Sequence, residues 1–348
     1  MIRAVLRASA RLVVLPSLFV AGSTAAHAQD ASPGHQRIQQ IALSKGWNAI
    51  YLEVQPANSA PAAVFSGLPV DKVATLFKAP VSNQFVSDAT VNLSKGQGWG
   101  VWYAAGSPEA FLKSLDTVLG SRAYLIHTTA ACQWRATGDA LPASVEWRAD
   151  AYNFVGFPIA STGGPSFAQF FAGSKAHKDQ AIYRLVDGKW KKVLQASAET
   201  MKSGEAFWAY CKGPSDYQGP LRVETEASSG LIIGATGSRV VLRNESPYPL
   251  SPTVEHIAAT GPALPLSVMI RSLGDPAAPV QSLPAEMPAG PWTQALPPLE
   301  TGKSMAIPFE CRARAMSQPR QTSLLKITTD IGTESWVPVV GLRGDLAE

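Results

Sequence analysis

The stretch that decides the fold of this chain is Gly46-Trp47-Asn48-Ala49-Ile50-Tyr51-Leu52, because a variant of it returns as Ala151-Tyr152-Asn153-Phe154-Val155-Gly156-Phe157. Each copy joins an aromatic residue to an asparagine and then continues as an apolar strand. A strand that returns together with its flanking landmarks indicates an internal repeat. The sequence therefore predicts two copies of one module.

Further landmarks recur in the same order after these strands. They are the asparagine, a Phe-x-Gly, a glycine-led tryptophan and a closing strand, at Asn48 and Asn153, Phe65 and Phe171, Trp99 and Trp190, and Ala123 and Ala206. Several landmarks in one order are stronger evidence than any single one. Residues 41–139 and 147–222 are therefore predicted to superpose. We expect each asparagine to bond backbone groups of a neighbouring turn through its side-chain amide.

The two copies differ in length between the second strand and the closing strand. The first copy carries extra chain that includes QGWGVWY at residues 97–103. It also contains apolar residues at helical spacing between Pro108 and Leu119, followed by Gly120, which predicts a helix there. Insertions usually map to surface loops, which carry function more often than strands do.

The repeat resembles a module common in bacterial secreted and surface proteins, which has a GWN strand, a central GxW hairpin and a closing Gx[AG][YF]W. The matches are Gly46-Trp47-Asn48, Gly188-Lys189-Trp190 and Gly204-Glu205-Ala206-Phe207-Trp208. The first copy departs from this pattern, since Leu125 stands where the closing strand should have an aromatic residue. The resemblance implies an extracellular accessory or structural role and supplies no catalytic residues.

The N-terminus has the pattern of a cleavable signal peptide over residues 1–28. Arginines at positions 3, 7 and 11 flank an apolar run, and Ala26-His27-Ala28 provides small residues at the cleavage positions. Loss of these arginines lowers the formal charge from +4 to +1, so the charge gives no reason to expect nucleic acid. No later apolar run approaches the length of a membrane span. We therefore expect export to the periplasm, the cell surface or the extracellular space.

The last third of the chain is rich in strand signals and is predicted to form an immunoglobulin-like β-sandwich. Residues 225–230 are small and polar and are predicted to be a linker. Asp330-Ile331-Gly332 predicts a tight turn between the last two strands. The nine prolines between Gly261 and Gly302 exclude central strands from most of that stretch, which is either a contact loop or an ordinary extended connection.

Together these patterns predict a mainly β chain, in which β-rich α+β repeats are followed by the sandwich. The predicted domains are a first module at 36–146, a second at 147–223 and the sandwich at 231–348. Charged residues make up only 16% of the chain, which fits short strands joined by turns.

The sequence contains no motif for a catalytic, cofactor or metal site. It has no G-x-S-x-G elbow and no phosphate-binding loop, and its histidines have no ligand spacing. We therefore predict a protein that is not an enzyme and has no cofactor, although triads can assemble from distant residues. The sequence leaves open whether Cys132 and Cys211 pair, or whether these two and Cys311 are buried thiols.

The aromatic residues are the best candidates for a binding site. The candidates are Trp99, Trp102, Tyr103, Trp208 and Tyr210. Strand alternation puts Trp99 and Tyr103 on one face and Trp102 on the other. An exposed Trp102 could stack on a sugar ring, whereas the alternative is that it packs under the neighbouring helix.

Three hypotheses for function follow from these observations. The first is a non-enzymatic exported protein that acts in adhesion, assembly or scaffolding, with another surface or extracellular protein as partner. The second is an accessory protein that binds a polysaccharide through exposed aromatic residues. The third is a secreted hydrolase with a site between modules.

Overall fold

The computed structural model describes residues 35–77, 98–234, 237–259, 261–270, 283–285 and 290–343. Their regular secondary structure is nearly all β-strand, as the sequence predicted, with two short helices and two 3₁₀ turns. The predicted signal peptide lies outside them. Residues 33–348 form one compact unit. The borders between the two modules and the sandwich stay predictions.

The described residues of the first module form seven strands and a short helix. They are β1 (Gln36–Leu43), β2 (Gly46–Leu52), β3 (Val54–Gln55), α1 (Pro61–Val64), β4 (Val70–Leu76), β5 (Trp99–Tyr103), β6 (Arg122–Thr128) and β7 (Cys132–Ala140). They form two sheets, with strand orders β2-β6-β4-β5 and β1-β7-β3.

The second module is smaller. It contains β8 (Ala151–Gly156), α2 (Phe167–Phe171), β9 (Ile182–Val186), β10 (Lys189–Lys192) and β11 (Ala206–Cys211). Its single sheet has the order β8-β11-β9-β10. This is the order of the first module's larger sheet, strand for strand, and in both modules the helix lies in the chain between the first two strands of this sheet.

The strand registers agree as well as the strand orders. Asn48 lies opposite Ile126 in the first module, and Asn153 lies opposite Ala209 in the second. Leu76 faces Trp99 in the first hairpin, as Leu185 faces Trp190 in the second. The predicted repeat is therefore present in topology and register, and Trp190 is the counterpart of Trp99.

The repeated asparagines have the structural role that the sequence predicted. The side-chain oxygen of Asn48 accepts from the amide of Ser44, and its Nδ2 donates to the carbonyls of Ser44 and Gly46. Asn153 makes the same three bonds, with Arg148 and Ala151. Each asparagine thus satisfies backbone groups of the turn that leads into its strand.

The module sheets are central layers that are covered on both faces. In the first module, α1 and the small sheet cover one face, with Phe65 and Trp134 packed against Leu52 and Ile126. In the second module, the phenylalanines of α2 cover the corresponding face. The remaining faces of the two sheets pack against each other and form a shared aromatic core.

The predicted helix between Pro108 and Leu119 is wrong. Only residues 110–112 form a 3₁₀ turn, and the chain then runs extended beside β5. The amides of Ser114 and Leu115 donate to the carbonyl of Val101, and Leu115 and Val118 are buried in the core. Leu115 and Val118 instead hold an extended segment against the core, because burial in the tertiary structure outweighs the helical spacing of the sequence.

The C-terminal sandwich contains two five-stranded sheets. Its strands are β12 (Leu221–Thr225), β13 (Leu231–Ile233), β14 (Ser238–Asn244), β15 (Pro252–Ala258), β16 (Leu266–Ile270), β17 (Leu283–Ala285), β18 (Trp292–Ala295), β19 (Ser304–Cys311), β20 (Arg320–Thr329) and β21 (Glu334–Leu342). The sheet orders are β12-β14-β19-β16-β17 and β13-β21-β20-β15-β18. The predicted hairpin of the last two strands is confirmed, since β20 pairs with β21.

The sequence predicts that the second module ends at residue 223 and that the sandwich begins at residue 231. In the structure, β12 pairs with β14 along its whole length and so belongs to a sheet of the sandwich. Residues 225–230 are therefore a turn inside the sandwich, which takes the chain from one sheet to the other. Of the proline-rich stretch, the described residues include β17 and β18, and Pro284 lies in β17 opposite Met269.

A charged junction connects the first module to the sandwich. The guanidinium of Arg37 pairs with the buried carboxylate of Glu53 at 2.5 Å and lies 4.3 Å from the ring centre of Trp336. Nε2 of His35 donates to the carbonyl of Val339 at 3.0 Å. Burial raises the pKa of Glu53, against the attraction of Arg37. We call these five residues, His35, Arg37, Glu53, Trp336 and Val339, the β1–β21 junction.

All three cysteines are free thiols. Cys211 is buried, and Cys132 and Cys311 are half-buried. Burial raises the pKa of the Cys211 and Cys311 thiols. This agrees with the alternative of structural thiols.

Candidate functional site

Three of the five predicted site residues are buried between the two modules. Trp99, Tyr103 and Trp208 lie in the shared aromatic core, where Trp208 has no exposed surface and its ring centre lies 6.3 Å from that of Trp99. A buried ring offers no open face for stacking on a ligand. These residues therefore hold the modules together in this conformation.

The core is built from complementary side chains at equivalent positions. Ala49 and Leu125 of the first module correspond to Phe154 and Trp208 of the second, so small residues on one sheet accommodate large ones on the other. At the centre, a Cβ on Gly156 would lie 2.3 Å from the Cβ of Tyr51, and these two positions are also equivalent. A contact between equivalent positions is typical of a two-fold interface, here made within one chain.

Trp102 lies on the opposite face of β5, as strand alternation predicted. It is half-buried, and its ring centre lies 5.8 Å from that of Phe65, which follows α1. The alternative of packing under a neighbouring helix thus describes most of its surroundings, although the helix is α1 rather than the predicted one. Part of its surface remains accessible.

Tyr210 is half-buried in a cluster of tyrosines on the second module. The ring of Tyr152 meets Tyr210 at 5.2 Å and Tyr183 at 5.7 Å, both edge to face. Burial, followed by the proximity of Tyr183, raises the pKa of Tyr152 to about 12, so its hydroxyl stays neutral. Rings at steep angles to one another do not form one flat surface for a sugar chain.

A groove that the sequence analysis did not predict runs along β2, between the two modules. It has a volume of about 710 Å³ and lies between the β1–β2 turn, β2 itself, the β9–β10 turn and residues 202–205. Trp47 lines it and is half-buried, and its ring meets that of His127 edge to face at 5.2 Å. The sequence predicts Trp47 only as the start of a strand. Its place in a groove depends on the position of β2 at the edge of its sheet, which a single sequence does not show.

The floor of this groove is the edge of β2 that faces away from β6. The amide of Tyr51 donates to the carbonyl of Gly204 at 2.9 Å, on the side away from β6. Hydrogen bonds of an antiparallel strand alternate between its two sides, so Trp47 and Ala49 also direct their N–H and C=O groups away from β6. Ile50 forms an isolated antiparallel bridge with Glu205, so residues 204–206 lie beside the Ala49 end of this edge.

The charges around the groove are unequal. Glu205 is held by Arg184 through bonds of 2.7–2.9 Å, and Asp187 lies 3.6 Å from Lys191. Lys45 and Lys202 are exposed and take part in no salt bridge within the described part of the chain. The free charges at the rim are therefore positive.

Two pairs of side chains have the residue types of a catalytic dyad. Nδ1 of His127 donates to Asp71 at 2.6 Å on a partly exposed surface. Ser174 and His177 share a hydrogen bond of 2.6 Å, but burial lowers the pKa of His177 to about 4 and its Nε2 is buried without a partner. A histidine with so low a pKa is a weak general base at neutral pH, and Ser174 is itself buried.

Within the ranges that the structure describes, no group of three or more His, Cys, Asp or Glu residues is placed to hold a metal ion. None of the helices in those ranges is long and apolar enough to cross a membrane.

The solved structures to which this chain is similar include two pilins, both with weak similarity. One is to the Salmonella enterica SafA pilin in complex with the SafB chaperone, with a TM-score of 0.23 and 15% identity over 36% of this chain and 56% of that one. The other is to the full-length major pilin SpaD from Corynebacterium diphtheriae, with a TM-score of 0.22 and 8% identity over 85% of this chain and 65% of that one. The chain thus spans less than two thirds of either structure. Likenesses this weak do not bear on function.

No protein-family model matches the chain, and no curated protein does.

Proposed function

We propose that this protein is a non-enzymatic exported protein that acts in adhesion, assembly or extracellular scaffolding. One observation carries the proposal: the aromatic side chains of the two repeated sheets pack against each other and are buried in the shared aromatic core. An open site built from repeated aromatic residues would need those ring faces to be free. The repeats instead form a rigid pair.

The surroundings of the Ser174–His177 pair and of Glu205 also favour a role without catalysis. The Ser174–His177 pair is buried, and its histidine has a pKa of about 4. Glu205, the acidic residue nearest the centre of the groove, is neutralised by Arg184. These groups are explained by the packing and ion pairs in which they take part.

The proposal is tested by combining a cell-surface assay with an activity assay. We expect biotinylation of intact producing cells to label the protein, and deletion of its gene to reduce attachment or cell-to-cell assembly. We also expect no hydrolysis of ester, peptide or glycoside substrates by the purified chain above that of Ser174→Ala. Hydrolysis that Ser174→Ala or His127→Ala abolishes would contradict the proposal and favour a secreted hydrolase.

A second candidate function is polysaccharide binding, which the partial exposure of the single rings of Tyr210 and Trp102 favours. Tyr210 lies beside Tyr152, and part of its surface is accessible. On a glycan array, this function requires binding that Tyr210→Ala weakens and Trp99→Phe, a buried substitution in the shared core, leaves unchanged. Trp102→Ala tests the other accessible ring in the same assay.

A further inference from the structure

We propose that the groove along β2 binds an acidic polysaccharide, with one sugar ring stacked on Trp47 and its anionic groups beside Lys45 and Lys202. The inference rests on the proposed function, because it names the ligand that an exported adhesion or scaffolding protein would hold. Three features of the groove carry it: a partly accessible aromatic ring, two ammonium groups without an ion pair, and an edge of β2 that the chain itself already flanks.

Trp47 provides an aromatic surface inside a groove of about 710 Å³. Its side chain is half-buried, and its ring meets that of His127 edge to face at 5.2 Å, a contact that limits the movement of the ring. A rigid ring with accessible surface can stack on the apolar face of a sugar. Ser44 and Ser203 line the same groove, and polar residues beside an aromatic ring suit a ligand that carries hydroxyl groups.

The groove also offers positive charge. Lys45 and Lys202 both line it, are exposed, and form no ion pair among the described residues. The two acidic residues that line it, Asp187 and Glu205, are each paired with a cation of the second module. Two free ammonium groups in one groove attract a chain with repeated negative charge. The charges therefore favour an anionic ligand.

The edge of β2 favours a sugar over a peptide that would add to the sheet as a strand. Ile50 forms an antiparallel bridge with Glu205, and the amide of Tyr51 donates to the carbonyl of Gly204. The chain's own residues 204–206 thus already lie beside one end of this edge. A ligand in the groove is therefore recognised mainly by side chains, and a ring with two ammonium groups matches the apolar face and the anions of an acidic sugar.

The second module has an equivalent groove that lacks this set of side chains. It runs along β8 and has a volume of about 490 Å³. The described residues that line it do not include Tyr152, the counterpart of the groove tryptophan. At the positions equivalent to the two groove lysines, the second copy of the pattern has Asp150 and the first copy has Leu119. The repeated fold thus does not require the ring and the lysines, which favours a role for them in binding.

The probe for the experiment is a short oligogalacturonate, added to the full chain and followed by titration calorimetry. We expect a Kd between about 10 µM and 1 mM. The indole N–H resonance of Trp47 should shift in the NMR spectrum during the same titration. The methyl ester of the oligomer, which has the same rings without the charges, should bind about tenfold more weakly or less. Short dextran sulfate, compared with neutral dextran, shows whether sulfate groups are accepted as well as carboxylates.

Substitution of the ring locates the stacking contact. Trp47→Ala should weaken binding by about tenfold. The control is Tyr152→Ala, which removes the ring at the equivalent position of the second module and should leave binding unchanged.

Neutral substitutions of the lysines locate the charged contact. Lys45→Gln with Lys202→Gln should weaken binding by about tenfold and reduce its dependence on salt. The control pair Lys189→Gln with Lys192→Gln removes the same charge from β10 and should leave binding unchanged. All four lysines are exposed, so these variants and the methyl ester keep the test decisive if Trp47→Ala fails to fold.

Several outcomes would overturn the inference. These are no binding of either acidic oligomer at about 1 mM, equal binding of the methyl ester, an equal loss in Tyr152→Ala, an equal loss in the control lysine pair, or binding of a glutamate oligomer as tight as that of the uronate. In a protein that biotinylation labels and whose loss reduces attachment, these outcomes overturn the inference alone. Binding in the groove of a protein that is absent from the cell surface would contradict the proposed function alone.

Discussion

The two modules share a topology and a turn anchor but differ in the side chains of the faces that meet. Strand order, register and the three bonds of each asparagine are the same in both. Where the second module has Phe154 and Trp208, the first has Ala49 and Leu125. A duplicated module therefore keeps the features that define its backbone, while the contact between copies is free to become asymmetric.

The largest expected effect comes from the large partner in this contact. Trp208→Ala should lower the free energy of unfolding by about 3–5 kcal/mol, because it leaves a cavity among the rings of Trp99, Phe154 and Trp190. Leu125→Ala, at the equivalent position, should cost less, about 2–3 kcal/mol. Urea unfolding of the full chain followed by circular dichroism measures both. An equal or larger loss for Leu125→Ala would contradict the asymmetry.

The second module should also make stability depend on pH. Burial lowers the pKa of His177 from 6.5 to about 4, so the folded state keeps this ring neutral while the unfolded state binds a proton. The free energy of unfolding is therefore unaffected by this group above pH 6.5. It falls as the pH drops from 6.5 towards 4, by on the order of 3 kcal/mol in total. His256 in the sandwich acts in the same direction.

His177→Gln isolates the part that belongs to the second module. Unfolding measured between pH 7 and 4 should be less pH-dependent in this variant, and the remaining slope is due to His35, His256 and the carboxylates, since burial lowers the pKa of both histidines. An unchanged slope would mean that the second module does not keep His177 neutral.

A smaller effect is expected at the centre of the interface. Gly156→Ala places a Cβ 2.3 Å from that of Tyr51 and 2.7 Å from the carbonyl oxygen of Glu205, and should cost about 1–3 kcal/mol. The control is Gly234→Ala, where a Cβ meets nothing within 4 Å. Thermal unfolding compares the two variants. A neutral Gly156→Ala would show that the sheets can separate at this point without loss.

The smallest difference should separate the two asparagines. Asn153 is 6% exposed, and its loss leaves buried backbone groups unsatisfied, so Asn153→Ala should cost about 1–3 kcal/mol. Asn48 is less buried, and water can replace some of its bonds, so Asn48→Ala should cost about 1 kcal/mol or less. Melting temperatures of the two variants test the order, and a reversed order would contradict it.

Local patterns in the sequence predicted the backbone of the repeat but not its assembly. The pairs Trp47-Asn48 and Tyr152-Asn153 predicted equivalent strands, and the glycine-led tryptophans predicted the equivalence of Trp99 and Trp190, because these signals lie close together in the chain. The partner of β1 is β7, far along the sequence, and no local pattern specifies such a pairing.

The candidate site was less predictable for the same reason. Aromatic residues such as Trp99 and Trp208 are favoured in a buried interface as well as in a binding site, and one sequence does not say which face of a sheet meets another. Leu115 and Val118 matched a helix because their spacing satisfies that period, although each anchors an extended segment. The groove along β2 depends on which strand lies at the edge of its sheet, which is a property of the complete sheet.

The β1–β21 junction has a mechanical consequence. It joins the first described strand to the last one, through Arg37 on Trp336 and His35 on Val339. Tension applied between residues 35 and 343 would therefore load this junction before any sheet of the two modules. The contact of Arg37 with Trp336 and the hydrogen bond of His35 with Val339 would therefore have to break before the pull reaches the sheets of the two modules.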